Sequence, residues 1–463
     1  MDLGRLVCHE NLECLLCGSR HHLRHAISTQ AAAFQLYQAS LPPERLVPYS
    51  LTRPLRPFLN DDDVIRHSDL TENLTRIGAT GFVPSYRSSR FLERWGRGAG
   101  LDLLSPLYCL QQELEDKIRF HHLLEQHGLP VPGGCVLTTP DQIVLLSRFP
   151  LVCQTPAGEG MEGTFLVSSR RRLRARLEEQ SLKLPLLCRE FVRGTVLGIT
   201  IVVGARELLL SAVRIQCRRL NHREKDLAGV QWAPRSGFSA IQSRNIAGVM
   251  TTLGTVLQRA GLRGVANVDF ILSGDEVLII ECNPRFSSST PQLSFNPSLL
   301  HGLDFVVEYL RAVRGQPLGA HRPSLPRSGY EGAYVDFSDW TVAIIKAARR
   351  RVVNAMPRLG VYDLDGGRLR FLSPNISDLR GGQRLLFHYS TPAGTHIGAK
   401  SDLGSVMTNF PIFSFQRHRC ALTRRGRTLL RQLVGEVRFV RPNQTLADLA
   451  ALAAPVQART ALL

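Results

Sequence analysis

Residues 264–290 read GVANVDFILSGDEVLIIECNPRFSSST. Two short apolar runs flank Gly274-Asp275, a pair that tolerates the positive φ of a two-residue turn, so a β-hairpin is expected here. Side chains alternate along a strand, which puts Glu281 and Asn283 on one side. Pairing across the hairpin brings Asp269 beside them. Two carboxylates and an amide oxygen on one patch are hard oxygen ligands, the set that Mg²⁺ (or Mn²⁺) takes while it also holds substrate phosphates. Arg285, just beyond, adds a planar cation suited to a phosphoryl or carboxylate oxygen. The plain alternative is a half-buried hairpin whose polar side faces water.

Working outward, the composition is that of an ordinary globular protein, with 44% hydrophobic and 21% charged residues in 463. A chain of this length buries a sizeable core and divides into two to four units. It contains no apolar run long enough for a spanning helix, so no membrane partner is expected. The start, MDLGRLVCHENLECLLCGSRHH, breaks its apolar run at Glu13 and makes a poor secretory signal. The 10 Cys follow no regular framework, which suits a reduced, cytoplasmic protein. The net charge of +18 raises the question of nucleic acid. Only Lys117, Lys183, Lys225, Lys346 and Lys400 are lysines among the 57 basic residues, a skew toward Arg that looks like codon bias. No nucleic-acid motif accompanies the basic clusters, so a nucleic-acid partner is not expected.

Four regions follow from the patterning. Residues 1–110 mix apolar runs and polar turns, as a small α/β unit does. In region 111–318, QQELEDKIRFHHLLEQHG reads as one amphipathic helix stopped by Gly128. FPLVCQTP, TFLV and LPLLCREFV read as strands, followed by strands at 195–203 and 207–216, a helix over about 243–260, the hairpin, and a helix over 303–315. HRPSLPRSG reads as a linker. Residues 328–440 are rich in short strands with Gly turns and suggest a small sheet of their own, and 441–463 a helical tail.

The loop QTPAGEGMEGT (154–164) places Gly158, Gly160 and Gly163 between two strands. Glycines let backbone N–H groups approach phosphate oxygens closely. The pattern is neither the Walker nor the Rossmann fingerprint, and a plain hairpin turn remains the alternative.

Taken in order, ELEDKIRFHHLLEQHGLPVP, PLVCQTPAGEGMEGTFLV, LCREFVRGTVLGITIVV and GVANVDFIL…VLIIECNPRFSSST resemble the ATP-grasp superfamily of carboxylate–amine and carboxylate–thiol ligases. The resemblance implies an α/β (α+β) ATP-grasp fold over 111–318, with subdomains 111–192 and 193–318, behind an N-terminal α/β unit. It implies ATP and Mg²⁺ as cofactors, and small-molecule carboxylate and amine substrates joined through an acyl phosphate. A homodimer is compatible with it. By position, Lys117 looks like the Lys that contacts ATP phosphates. Glu190, Phe191 and Val192 look like the hinge beside adenine, and 158–163 like the flap. Asp269, Glu281 and Asn283 look like the metal ligands, and Arg285 like the residue that steadies the transferred phosphoryl group.

Two positions depart from the family pattern. Gln154 stands where a phosphate-contacting Lys is usual, and Gly194-Thr195-Val196 where a ribose-binding Glu is usual. A neutral amide gives about half the bond strength of a charged donor. The departures leave open a variant site in which Arg residues compensate, or an inactive one. The charged segment 214–235 offers Arg218, Arg219, Arg223 and Lys225 to a substrate carboxylate, with a solvated loop as the alternative. Competing readings are a non-catalytic nucleotide-binding or scaffold protein with a basic surface, and a carbamoyl-phosphate or carboxylase-like enzyme using bicarbonate. Cys8, Cys14 and Cys17 with nearby His21, His22 and His25 are compatible with zinc, but their spacing matches no standard finger and core cysteines are expected.

Overall fold

The computed structural model describes residues 6–8, 25–26, 61–76, 78–84, 87–158, 163–179, 182–218, 227–233, 237–287, 289–319, 341–346, 351–375, 378–379, 382–388, 396–397, 402–416 and 419–439. Strands β1 (Leu6–Cys8), β2 (His25–Ala26), β3 (Gly81–Val83) and β4 (Asp102–Leu103) form a sheet in the order β2-β1-β3-β4. Its described pairs are parallel, so a crossover must join each neighbouring pair. The helices Leu70–Arg76 and Arg90–Gly98 bury Leu70, Leu74 and Leu92 in the core beside this sheet.

Where one helix was expected over 111–128, two stand: Tyr108–Glu115 and Lys117–Gln126. Asp116 separates them. Its backbone is extended, and its carboxylate accepts from the N–H groups of Ile118 and Arg119 at 2.9 and 3.0 Å. A carboxylate satisfies these otherwise unpaired N–H groups better than helix continuation through Asp would. The break starts a new helix at Lys117.

A four-stranded antiparallel sheet follows, made of β5 (Gly134–Leu137), β6 (Leu151–Gln154), β7 (Thr164–Val167) and β8 (Leu186–Glu190), in the order β5-β8-β6-β7. Between β5 and β6 runs a 3₁₀ segment, Pro140–Leu145. Leu137, Ile143, Leu151, Val167, Leu173 and Leu186 fill the core behind the sheet.

The largest sheet holds β9 (Thr195–Val203), β10 (Leu208–Leu210), β11 (Arg214–Arg218), β12 (Leu227–Trp232), β13 (Gly264–Ser273) and β14 (Glu276–Asn283). The segment TVLGITIVV is β-branched and apolar through its length, as suits a strand covered on both faces. One face packs on the helix Ala240–Arg259 through Ile246, Met250, Leu253 and Leu257. The other packs on the helix Phe305–Val313, whose Phe305 and Tyr309 meet Phe286. Tyr309 Oη donates to Leu104 O at 2.7 Å, which ties this region to the N-terminal sheet.

The expected linker, 321–329, lies outside the described residues; β15 (Thr341–Lys346), β16 (Arg351–Ala355), β17 (Gly360–Asp365), β18 (Arg368–Ser373), β19 (Arg384–His388), β20 (His396–Ile397) and β21 (Asp402–Thr408) come after it. The expectation of a separate small sheet is corrected here. Gly229, Val230 and Gln231 of β12 pair with Ala343, Val342 and Thr341 of β15. The order is β14-β13-β9-β11-β12-β15-β21-β19-β17-β18, with β10 on β9. An antiparallel edge with open N–H and C=O groups is a template for pairing, and β15 covers the one that β12 would present. The expected helical tail, 441–463, lies outside the described residues.

Candidate functional site

The hairpin forms as expected, with Gly274 at φ 61° in the turn. Asp269 pairs with Glu281 and Asn267 with Asn283 across β13 and β14. Opposed residues share a face, so Asp269, Glu281 and Asn283 project together while Cys282 turns into the core. Burial, with the carboxylates around it, pushes the Cys282 thiol well above its ordinary range. It packs there as a small apolar residue.

Asp269 is only 8% exposed and does not stand alone. Arg214 Nη2 lies 3.7 Å from its Oδ1, and Arg214 Nη1 donates to Thr200 Oγ1 at 3.0 Å. Burial lowers the Arg214 pKa, and Asp269 opposes that shift. The pair fits because β9 carries Gly198 between them: a Cβ there would stand 2.8 Å from Arg214 Nε and 2.9 Å from Asp269 Oδ1. Gly198 is thus required by a close approach.

Arg285 is held from two sides. Its Nε donates to Glu115 Oε1 at 2.5 Å and its Nη2 to Asn283 Oδ1 at 3.1 Å. Glu115 Oε2 accepts from Arg87 Nη1 at 3.0 Å. The Pro284 carbonyl accepts from Gln111 Nε2 at 2.9 Å, and Gln111 Oε1 accepts from Ser88. The segment after the hairpin is therefore pinned by the helix Tyr108–Glu115, at sequence separations no local pattern reports. Asn267 continues the network: its Oδ1 accepts from Thr200 and Ser287, and its Nδ2 donates to Arg285 O.

Across from the hairpin lie the helix Lys117–Gln126 and the sheet β5-β8-β6-β7. Lys117 Nζ donates to Gly158 O at 3.0 Å, and its N–H to Pro156 O at 3.0 Å. The ammonium is therefore at the mouth of the Gly-rich loop. Gly163 sits at φ 68°, and a Cβ there would overlap Thr155 Oγ1. Gly160 lies outside the described residues. At the strand end, Glu190 N–H donates to Gly133 O at 2.7 Å and Phe191 N–H to Pro150 O at 3.1 Å. The Glu190 carboxylate pairs with Arg148 at 3.1 Å on the surface, Phe191 is exposed, and Val192 is half-buried.

Gln154 is buried, with Nε2 donating to Thr164 Oγ1 at 3.2 Å. Its Oε1 accepts from Arg189 Nη2, one strand over. Arg189 was not singled out from the sequence, although an Arg inside the apolar run LPLLCREFV is a signal. Its Nη1 donates to Ile280 O at 3.0 Å, so it bridges the small sheet to the hairpin. Burial lowers its pKa to about 10 against the pull of Glu281, and it stays charged at neutral pH. Arg214, Glu115 and Gly198 were missed as well; the signal at Arg214 is a cation that closes the mostly apolar run LLLSAV and opens β11.

Of the weaker candidates, Arg218 ends β11, while Arg219, Arg223 and Lys225 lie outside the described residues. Cys8 ends β1 and His25 begins β2, whereas Cys14, Cys17, His21 and His22 lie outside the described residues. Among the described residues, no group of three or more His, Cys, Asp or Glu converges as a metal site. Two carboxylates and an amide oxygen fall short of such a cage. They fit Mg²⁺, which keeps waters and binds through one or two carboxylates plus substrate phosphates.

Residues 114–289 match the family model described as an ATP-grasp domain. The arginine-specific large chain of carbamoyl phosphate synthase from Geobacillus stearothermophilus is 26% identical over 205 residues, which is 42% of this chain and 19% of that one. The large chain of carbamoyl phosphate synthase from Thermus thermophilus is 26% identical over 204 residues, again spanning 19% of its length. Among solved structures, the biotin carboxylase domain of the Hydrogenobacter thermophilus 2-oxoglutarate carboxylase, a dimer in complex with MgADP, ADP and bicarbonate, superposes with a TM-score of 0.60 at 13% identity, over 94% of this chain and 91% of that one. The Thermotoga maritima phosphoribosylamine–glycine ligase gives 0.58 at 12% identity, over 94% and 97%. At these identities the structures speak for the fold, and it extends through the C-terminal strands as well as residues 114–289.

Proposed function

Residues 114–289 form an ATP-grasp domain, and we propose that the chain is an ATP-dependent ligase that joins a small-molecule carboxylate to an amine through an acyl phosphate. One observation carries the reading. Asp269 and Glu281 stand opposed on one hairpin, with Asn283 on the same face and Arg285 held beside it. Lys117 at the Gly-rich loop supplies a cation on the other side.

In this reading a carboxylate oxygen of the acid attacks the γ-phosphorus, the bond to the β,γ-bridging oxygen breaks, and ADP leaves. The amine then attacks the acyl carbon, its proton is lost to solvent or a nearby base, and inorganic phosphate departs. Asp269, Glu281 and Asn283 would hold Mg²⁺, which would neutralise charge at the phosphates. Lys117 and the loop 158–163 place the nucleotide, and the strand end at Glu190, Phe191 and Val192 offers backbone groups to the base. Arg285, fixed by Glu115, offers its planar cation to the transferred group. Catalysis of this kind is positioning plus charge stabilisation.

The acid and the amine are small molecules, and Arg218, Arg219, Arg223 and Lys225 are our candidates for holding the acid. No described helix is long and apolar enough to cross a membrane. The 10 Cys, scattered without a regular framework, support our reading of a reduced, cytoplasmic protein. A homodimer is the assembly to look for first, since the Hydrogenobacter domain is a dimer.

The test is a hydroxylamine trap. With ATP, Mg²⁺ and a panel of acids that includes bicarbonate, the correct acid should release ADP, and a carboxylic acid should also give a hydroxamate. Stoichiometric AMP and pyrophosphate would overturn the mechanism, because they mark adenylation. Nucleotide binding without any turnover across the panel would favour the non-catalytic reading.

A further inference from the structure

We propose that Arg189 is the cation that this site presents to the nucleotide's phosphates, with Gln154 serving to aim it. The inference rests on the nucleotide reading above and adds a residue to it.

Arg189 is 3% exposed, at the seam between the small sheet and the hairpin. A buried cation is costly unless it is paired and hydrogen-bonded. Yet its two described acceptors, Gln154 Oε1 and Ile280 O, are both neutral. One N–H on each terminal nitrogen, and the Nε–H, find no acceptor among the described residues. The acidic neighbour that acts on it electrostatically is Glu281, which belongs to the oxygen patch. Once Glu281 is committed to a divalent cation, the guanidinium needs another anion, and phosphate oxygens suit its fork geometry.

Gln154 explains the arrangement chemically. As an acceptor it can face Arg189, whereas a Lys at 154 could only repel it. The neighbouring strands place the two residues diagonally on one face: Gln154 pairs with Leu187 and Val152 with Arg189 in the β6–β8 register. The charge that the resemblance leads one to expect at 154 is present one strand away. The site then counts as a variant with its cation relocated.

The experiment is titration calorimetry on the full chain with Mg-ATP and, separately, with adenosine, which lacks phosphates. The proteins are wild type, Arg189→Met, Gln154→Lys and the double variant Arg189→Met/Gln154→Lys, with thermal melts as the fold check. One charge-assisted contact is worth about tenfold in affinity, so Arg189→Met should lose at least roughly that for ATP. Its adenosine affinity should be unchanged. Gln154→Lys alone should also lose ATP affinity, because two cations then crowd one seam. The double variant should recover most of the loss.

A strut that merely joins the sheets would weaken adenosine and ATP alike and would not be rescued, and either result overturns the proposal. So does unchanged ATP affinity in Arg189→Met. Should Arg189→Met fail to melt cooperatively, Arg189→Lys decides: a folded Arg189→Lys keeps most ATP affinity if the charge is what matters, and a selective loss of adenosine binding sinks the idea. Wild type that binds no ATP would remove the nucleotide reading itself, whereas every other outcome bears on Arg189 alone.

Discussion

The two sides of the site are built on different principles. The hairpin β13–β14 carries Asp269, Glu281 and Asn283 on adjacent positions of one ribbon, joined by a two-residue turn. The facing wall assembles Lys117, Gln154 and Arg189 from a helix and two strands, and Gln154 and Arg189 meet from 35 residues apart. The first wall is a local object. Its geometry follows from strand alternation and turn chemistry, so substituting one residue leaves the others in place. The second is a tertiary object whose charges depend on sheet register and on each other. Changes at Glu281 and Asn283 should therefore alter chemistry with little change in stability, whereas changes at Asp269, the partner of the buried Arg214, and on the facing wall should alter both.

The largest effect is expected on the hairpin. Asp269→Asn or Glu281→Gln each removes one negative charge from the oxygen patch. Removing one preorganised electrostatic contact typically costs on the order of a hundredfold or more in turnover. ADP release should fall by about that much for both, with the melting curve close to wild type for Glu281→Gln, whereas Asp269→Asn leaves the buried Arg214 without its counter-charge and should also melt lower. Turnover within tenfold of wild type for both would remove the patch from the reaction.

This contrast also governs what could be read from the sequence. The hairpin was legible because Gly274-Asp275, the period-2 pattern and the carboxylates all lie within 27 residues. The strands β6, β8 and β9 were legible as apolar runs. The break at Asp116 was not, because helical periodicity runs through it, and only the preference of Asp for a cap over a helix interior marks it. Arg189 and Arg214 were illegible for another reason. Arg189 sits in an apolar strand and Arg214 opens β11 after an apolar run, and what each faces is decided by residues on other strands: Gln154 and Ile280 for Arg189, Asp269 and Thr200 for Arg214. Likewise, nothing local shows that β12 hands its edge to β15, because Gln231 and Thr341 stand 110 residues apart in the chain.

Gly198 sharpens the comparison, because it is where the local wall depends on a third strand. Gly198→Ala would place a methyl 2.8 Å from Arg214 Nε and 2.9 Å from Asp269 Oδ1. Both side chains are buried, and both must give way. Overpacking of this kind costs about 1–3 kcal/mol in stability. Activity should fall by roughly tenfold, since about 1.4 kcal/mol at the reacting centre is that factor. The measurements are a denaturant titration and the ADP-release rate. An unchanged rate would mean that the Arg214–Asp269 pair has room to move, and that the oxygen patch tolerates a displaced Asp269.

The smallest effect belongs to the facing wall and reads out as pH. His121 is buried on the helix Lys117–Gln126, and neither ring nitrogen finds a hydrogen-bond partner of good geometry among the described residues. Burial lowers its pKa below 6.5, and Arg189 and His122 push the same way. Glu125, whose Oε1 lies 3.4 Å from Nε2, opposes the shift from a half-exposed position. The sign follows from proton counting. The unfolded chain takes up a proton at this residue near pH 6.5, and the folded chain only at lower pH. The folded state is thus fully favoured above pH 6.5 and loses stability as pH falls through that value. One proton of difference is worth at most about 1.4 kcal/mol per pH unit. His121→Leu removes the titrating group, so its stability should decline less steeply than wild type between roughly pH 6.5 and 5. Parallel slopes for the two proteins in urea titrations across that range would mean that His121 titrates alike in the folded and unfolded states. That result would show that the surroundings of His121 are wetter than its burial suggests.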